Sequence, residues 1–116
     1  MGTTLAVSEE IIAEVTSWQG VDAGPGRRGE FAFRVGRREI GHLHGDRAAH
    51  FVFPRAAWLA LESQGRIVPQ LLFATAQGPA ARVSDDEADG RDVIALLRLN
   101  DERATSRHPL AAEARA

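Results

Sequence analysis

EFAFRVGRREIGHLHGDRAAHFVF, residues 30–53, is the stretch that decides the fold of this chain. Phe31, Phe33 and Val35 alternate with Glu30, Ala32 and Arg34, the period-two pattern of a half-buried strand over Glu30 to Val35. Gly36-Arg37 reads as a short turn and Arg38 to His44 as the returning strand. Gly45-Asp46-Arg47-Ala48 reads as a second turn, in which Asp46 bonds its own backbone and Gly45 accepts positive φ, and Ala49 to Phe53 as a third strand. Three consecutive strands joined by short turns predict an antiparallel meander.

On the N-terminal side, Ser8-Glu9-Glu10 predicts a helix start, with a capping hydroxyl and acids suited to the positive end of the dipole. Ile11, Ile12, Val15 and Trp18 recur at helical spacing, and Gly20 reads as the stop. Ala23 to Gly29, AGPGRRG, reads as a loop or an irregular edge. On the C-terminal side, Pro54 opens a helix that turns Ala57, Trp58 and Leu61 inward and ends at Gly65. Ile67 to Phe73 reads as a strand that Pro69 demotes to an edge or interrupts. After a loop over Ala74 to Pro79 come a short strand, Ala80 to Val83, and a capping box at Ser84-Asp85-Asp86-Glu87. Val93, Ile94, Leu96 and Leu97 make the buried face of the last helix, whose first turns Gly90 weakens by about 1 kcal/mol relative to Ala. The predicted fold is α+β, an antiparallel meander sheet with helices packed on one face, in the order α-β-β-β-α-β-β-α. It forms a single domain over residues 1–103, with a disordered tail over residues 104–116 that carries Pro109 and no apolar period.

The bulk composition excludes several function classes. The chain has 116 residues, suited to one domain, and no Cys, so disulfides, thiolate metal sites and Cys nucleophiles are out. Its net charge of −2 argues against a nucleic-acid binder that relies on bulk electrostatics. Every one of the 14 basic residues is Arg, which a GC-rich genome explains better than a demand for guanidinium groups throughout. No apolar run approaches the roughly 20 residues of a membrane span, and MGTTLAVSEE has the pattern of neither a secretory signal nor a myristoylation site. The expected setting is cytoplasmic, with no membrane partner.

Three of the four histidines, His42, His44 and His50, lie within the meander. His42 and His44 are two apart and share a face of their strand. The parity of the second turn decides whether His50 joins them. An even turn pairs His44 with Ala49 and His42 with Phe51, and leaves His50 on the opposite face. An odd turn over Asp46 to Ala48 pairs His44 with His50 and gathers all three. The two-residue Gly36-Arg37 turn sets Phe33 opposite Ile40 and Arg34 opposite Glu39. An even second turn then builds the apolar row Phe33–Ile40–Phe53 with Phe31–His42–Phe51 beside it, so the even register is the favoured one. Three readings follow: a half-buried, hydrogen-bonded His42 flanked by Phe rings; a ligand or polar site at His42 and His44; and a three-histidine metal centre. The favoured register disfavours the last, so no metal and no cofactor is assigned.

Arg27, Arg28, Arg34, Arg37 and Arg38 set five cations against Glu30 over twelve residues. They suggest an anion or nucleic-acid patch, with a solvated, edge-protecting hairpin as the plainer account. No outward aromatic side chain is interleaved with them to stack bases. The chain has no phosphate-binding loop, no GxGxxG after a strand, no HExxH helix and no GxSxG elbow. Asp85-Asp86-Glu87 reads as helix-start chemistry rather than a metal site.

The string GRREIGHLHGDRAAHFVFPR, followed by an amphipathic helix, GRIVP and a closing helix ending DVIALLRLN, resembles the small bacterial luciferase-domain proteins from about Ile11 to Arg103. Its most specific elements are Gly41-His42-Leu43-His44-Gly45-Asp46-Arg47, Phe53-Pro54 and Leu96-Leu97-Arg98-Leu99. Members of that family usually carry a His-His pair just after the Pro of the GRxxP element and then a Ser-Gly-Trp segment. Here those positions read Pro69-Gln70-Leu71 and Gln77-Gly78-Pro79, so the second half of the family's polar site is altered. The element order is also similar to small α+β domains of the MmcQ/YjbR-like type, for which DNA binding has been suggested.

The functional expectation is a small-molecule-binding or enzymatic domain. His42, His44 and Asp46 are the catalytic candidates, and Arg47 and His50 the ligand-binding ones. The alternative is a non-enzymatic interaction or DNA-binding module that uses the arginines between residues 27 and 38.

Overall fold

The structure is a computed structural model that describes residues 6–69 and 79–107. In chain order the elements are helix α1 (Val7–Thr16) and strands β1 (Val21–Pro25), β2 (Phe31–Val35), β3 (Arg38–His44) and β4 (Ala48–Phe51). Helix α2 (Arg55–Ser63), strands β5 (Val68–Pro69) and β6 (Ala80–Val83) and helix α3 (Glu87–Arg107) follow. The strands form a six-stranded antiparallel sheet in the order β1-β2-β3-β4-β6-β5. The α+β class and the succession of predicted elements hold. Val21–Pro25 adds a strand at the sheet edge, reaching into the stretch from Ala23 that reads in sequence as a loop or irregular edge. An edge strand pairs on one side alone, so its irregular composition, with Gly24 and Pro25, is tolerated there.

Helices α1 and α3 pack together on one face of the sheet, with α3 lying over β3 and β2. Val93, Leu96, Leu97 and Ala104 of α3 are buried in one core with Ile11 and Val15 of α1, Phe33, Ile40, Leu43 and Phe51 of the sheet, and Trp58 and Leu61 of α2. The helix runs through Gly90, which sits buried in the first turns, where a Cβ would stand 2.7 Å from Val7 Cγ1. Its missing side chain lets the two helices approach. The helix continues past Arg103 with Ala104 fully buried, so the boundary expected there falls inside α3; residues 108–116 lie outside the described residues.

The helix starts differ from the sequence reading. Asp86, not Ser84, caps α3, accepting the Asp89 backbone N–H at 2.8 Å, while Asp89 reaches back to accept the Asp85 N–H at 2.9 Å. Glu87 therefore opens the helix instead of closing a capping box with Ser84. Ser84 is buried and donates its N–H to the Arg47 carbonyl at 2.6 Å. Ser8 lies inside α1, whose cap position is Ala6. Arg82 of β6 ties the sheet to α3, donating to Asp89 at 2.6 Å and Asp92 at 3.0 Å; Asp92 also accepts from Arg66 at 2.6 Å.

The register of β2, β3 and β4 positions the histidines. The Gly36-Arg37 turn and the Arg34–Glu39 pairing are as expected. One step later the ladder shifts: Phe33 pairs with Gly41, and Ile40 has no partner on β2. Ile40 is the extra residue of a β-bulge, and one inserted residue sends everything beyond it to the other face. Leu43, rather than His42, then pairs with Phe31 and Ala49 toward the core, and the histidines turn to the sheet face opposite the helices. The second turn is Gly45-Asp46-Arg47, with His44 opposite Ala48 and His42 opposite His50. The favoured even register, its Phe33–Ile40–Phe53 row and the separation of His50 are thereby corrected. The odd turn drawn over Asp46 to Ala48 is also one residue off.

Candidate functional site

His42 and His44 point the same way because they are two apart on β3, and His50 joins them because it stands directly across from His42 on β4. The ring centroids are 4.9 Å apart for His42–His44, 5.2 Å for His42–His50 and 4.6 Å for His44–His50. One nitrogen from each ring falls within 4.8 Å of the others. The register thus gathers all three side chains, which the sequence argument had divided two and one.

Each imidazole has a distinct environment. His42 is half-buried, and its Nδ1 hydrogen-bonds Glu39 Oε2 at 2.9 Å. That contact is itself a product of the bulge. Residues three apart on a regular strand face opposite ways, and the extra residue brings Glu39 and His42 to one side. His44 is exposed. His50 is half-buried, and its pKa is pushed down to about 4, first by burial and then by the charges of His44 and His42. Its Nδ1 and Trp58 Nε1 are the buried side-chain polar atoms among the described residues that lack a hydrogen-bond partner. Glu30 lies beside the cluster. Backbone N–H groups of Arg28 and of Glu30 itself, followed by the charges of His42 and His44, hold its carboxyl below the usual range. The Arg28 contact measures 2.9 Å.

A pocket of about 210 Å³ opens at this place, lined by the three histidines, Glu39, Glu30, Arg28, Phe51, Val52 and Pro79. Asp46 and Arg47 do not line it. Asp46 accepts a hydrogen bond from Ser8 Oγ at 3.4 Å, and Arg47 forms an ion pair with Asp85. Both fix the turn that follows His44 to the helical side of the molecule. The five arginines of the first strands are also divided. Arg27 and Arg28 belong to the β1–β2 turn, Arg37 to the turn at the other end of β2 and Arg38 to the first position of β3, and Arg34 lies between them on β2.

Glu39, Glu30 and the pocket role of Arg28 were not legible from spacing. Glu39 reads in sequence as a cross-strand partner of Arg34, and the signal for its second role was Gly41. A glycine inside a strand marks a bulge or a close backbone approach, and here it marks both. A Cβ on Gly41 would stand 2.5 Å from Leu97 Cδ2 and 3.2 Å from the His50 carbonyl oxygen. The altered family segment at Gln70-Leu71 and Gln77-Gly78 lies outside the described residues.

Comparison with known proteins adds one result. A family model described as Luciferase domain matches residues 37–100, more than half of the chain. No curated protein and no solved structure matches it.

Proposed function

The chain belongs to the luciferase-domain family, and on that premise we propose that it binds a small molecule in the pocket beside His42, His44 and His50. The observation that carries this reading is the convergence of three imidazoles from two strands at the wall of one pocket. At about 210 Å³ the pocket is below the roughly 300–1,000 Å³ of drug-sized ligand sites. It suits a small ligand or one end of a larger one.

The chemistry of the lining defines what fits. His50, neutral because of its burial, offers a lone pair as an acceptor. His42, oriented by Glu39, and His44 complete the polar wall. Arg28 supplies a guanidinium for an anionic group, and the exposed Val52 an apolar surface for the rest of the ligand. Asp46 and Arg47 serve as positioning residues, holding the turn that carries His44 through Ser8 and Asp85.

Native mass spectrometry of the untagged protein tests the reading, followed by screening of small polar aromatic molecules by histidine-resolved NMR. Retained or screened ligands are expected to shift the signals of His42, His44 and His50 and to be lost in a His42→Ala/His44→Ala variant. Ligands that bind the double variant as well as the wild type would overturn the assignment.

A further inference from the structure

We propose that His42, His44 and His50 form a mononuclear site for a divalent transition metal of the zinc type, with Glu39 as the residue that orients His42. The inference shares its residues with the pocket described above but does not require the ligand proposed there.

Four observations carry it. Three imidazoles present one nitrogen each within 4.8 Å of one another. Three nitrogens at about 2.0–2.1 Å from a single tetrahedral ion stand ~3.3 Å apart, so small changes in the imidazole torsions close the set. The scaffold is rigid where it matters, since His42 and His50 are a directly opposed pair in an antiparallel ladder and His44 is two residues along the same strand. The Nδ1 of His50 is buried without a hydrogen-bond partner, an unsatisfied atom that ordinarily costs about 1–3 kcal/mol. A cation among the rings gives the cluster a use for such a lone pair. Finally, Glu39 Oε2 lies 2.9 Å from His42 Nδ1, the carboxylate–histidine contact that fixes a metal ligand's tautomer and leaves the opposite nitrogen, Nε2, to serve as the ligand atom.

The donor set selects the ion. Neutral imidazoles suit zinc, copper, iron and nickel, whereas calcium and magnesium take oxygen ligands. Three protein ligands leave a coordination position for water or for a donor atom of a bound molecule, the pattern of catalytic rather than structural zinc. Glu30 and Glu39, both at the pocket, offset the ion's charge without occupying the ligand positions. The site recruits no residue from Asp85-Asp86-Glu87, where Asp86 is spent on capping α3 and Asp85 on Arg47.

Titration of the metal-free full chain with Co(II), followed through its visible ligand-field absorption, is the direct test. The expected result is one Co(II) per chain, displaced stoichiometrically by Zn(II), with the band lost in His42→Ala and His50→Ala. Glu39→Gln should bind about 10–100-fold more weakly, whereas His108→Ala should match the wild type. Zn(II) should also raise the thermal midpoint of the wild type, a readout that stands even where a histidine variant folds poorly. A wild type that binds Co(II) no better than the His42→Ala/His44→Ala/His50→Ala variant, with no midpoint shift, would overturn the proposal. That outcome leaves the small-molecule reading to be judged by its own NMR screen, so the two fail separately.

Discussion

Asn100 Nδ2 donates to the Ile40 carbonyl at 3.1 Å, and Ile40 is the residue skipped inside the β2–β3 ladder. The same amide donates to the Val52 carbonyl at 3.1 Å, just beyond the end of β4, while Asn100 Oδ1 accepts from Arg103 at 2.8 Å. One buried side chain from α3 therefore serves two backbone groups where the ladder is interrupted. The bulge it supports turns His42 away from the core and brings Glu39 beside it. Asn100 is also the last residue of the family match.

Asn100→Ala should accordingly destabilise the protein by about 1–3 kcal/mol, because two carbonyls lose their donor. Urea unfolding measures the loss. Asn100→Asp should be at least as harmful, since it replaces the donor with acceptors.

Gly41→Ala should cost about 1–3 kcal/mol by overpacking against Leu97. Leu97→Val removes part of the obstruction, so the double variant should lose less than the sum of the singles. A double-mutant cycle from denaturant unfolding gives the coupling; strict additivity would show that the Gly41–Leu97 contact is not what limits the strand.

The Arg82–Asp92 and Arg82–Asp89 pairs link β6 to α3 with side chains that are mostly sheltered from water. Removing Arg82 takes a charged donor from both Asp89 and Asp92, which keep the Asp85 N–H and Arg66, so Arg82→Ala should cost about 1–3 kcal/mol, above an exposed ion pair and below a fully buried one. Its effect should change little between low and moderate salt. The exposed Arg47–Asp85 pair should contribute about 0–1 kcal/mol and fade with salt, as chemical unfolding of Asp85→Ala at two ionic strengths will show.

Acid should destabilise the metal-free protein through His50. Its folded pKa of about 4 lies below the ordinary value of 6.5, so between these values the unfolded chain binds a proton that the folded chain does not. The contribution is complete above pH about 6.5, declines as pH falls, and is gone below about 4. With screening at a half-buried site, about 1–2 kcal/mol should disappear across that window. A stability–pH profile of His50→Asn should be flatter there than that of the wild type; parallel profiles would remove His50 as the cause.

The sequence by itself determined what local rules control. Alternation at Phe31, Phe33 and Val35 located β2, the Gly36-Arg37 turn set the start of β3, and helical spacing at Val93, Leu96 and Leu97 placed the buried face of α3. The family, too, was legible in the run from Gly41 to Arg47 and its neighbours. Only the tertiary structure decided which face the histidines occupy. Strand parity assumes an unbroken ladder, and whether Gly41 interrupts it depends on Leu97 and Asn100, some 60 residues away in sequence. Their packing and hydrogen bonding make the bulge the satisfied arrangement. A single unpaired residue then exchanges the two faces of the strand beyond it, delivering Leu43 to the core and the three histidines to one another.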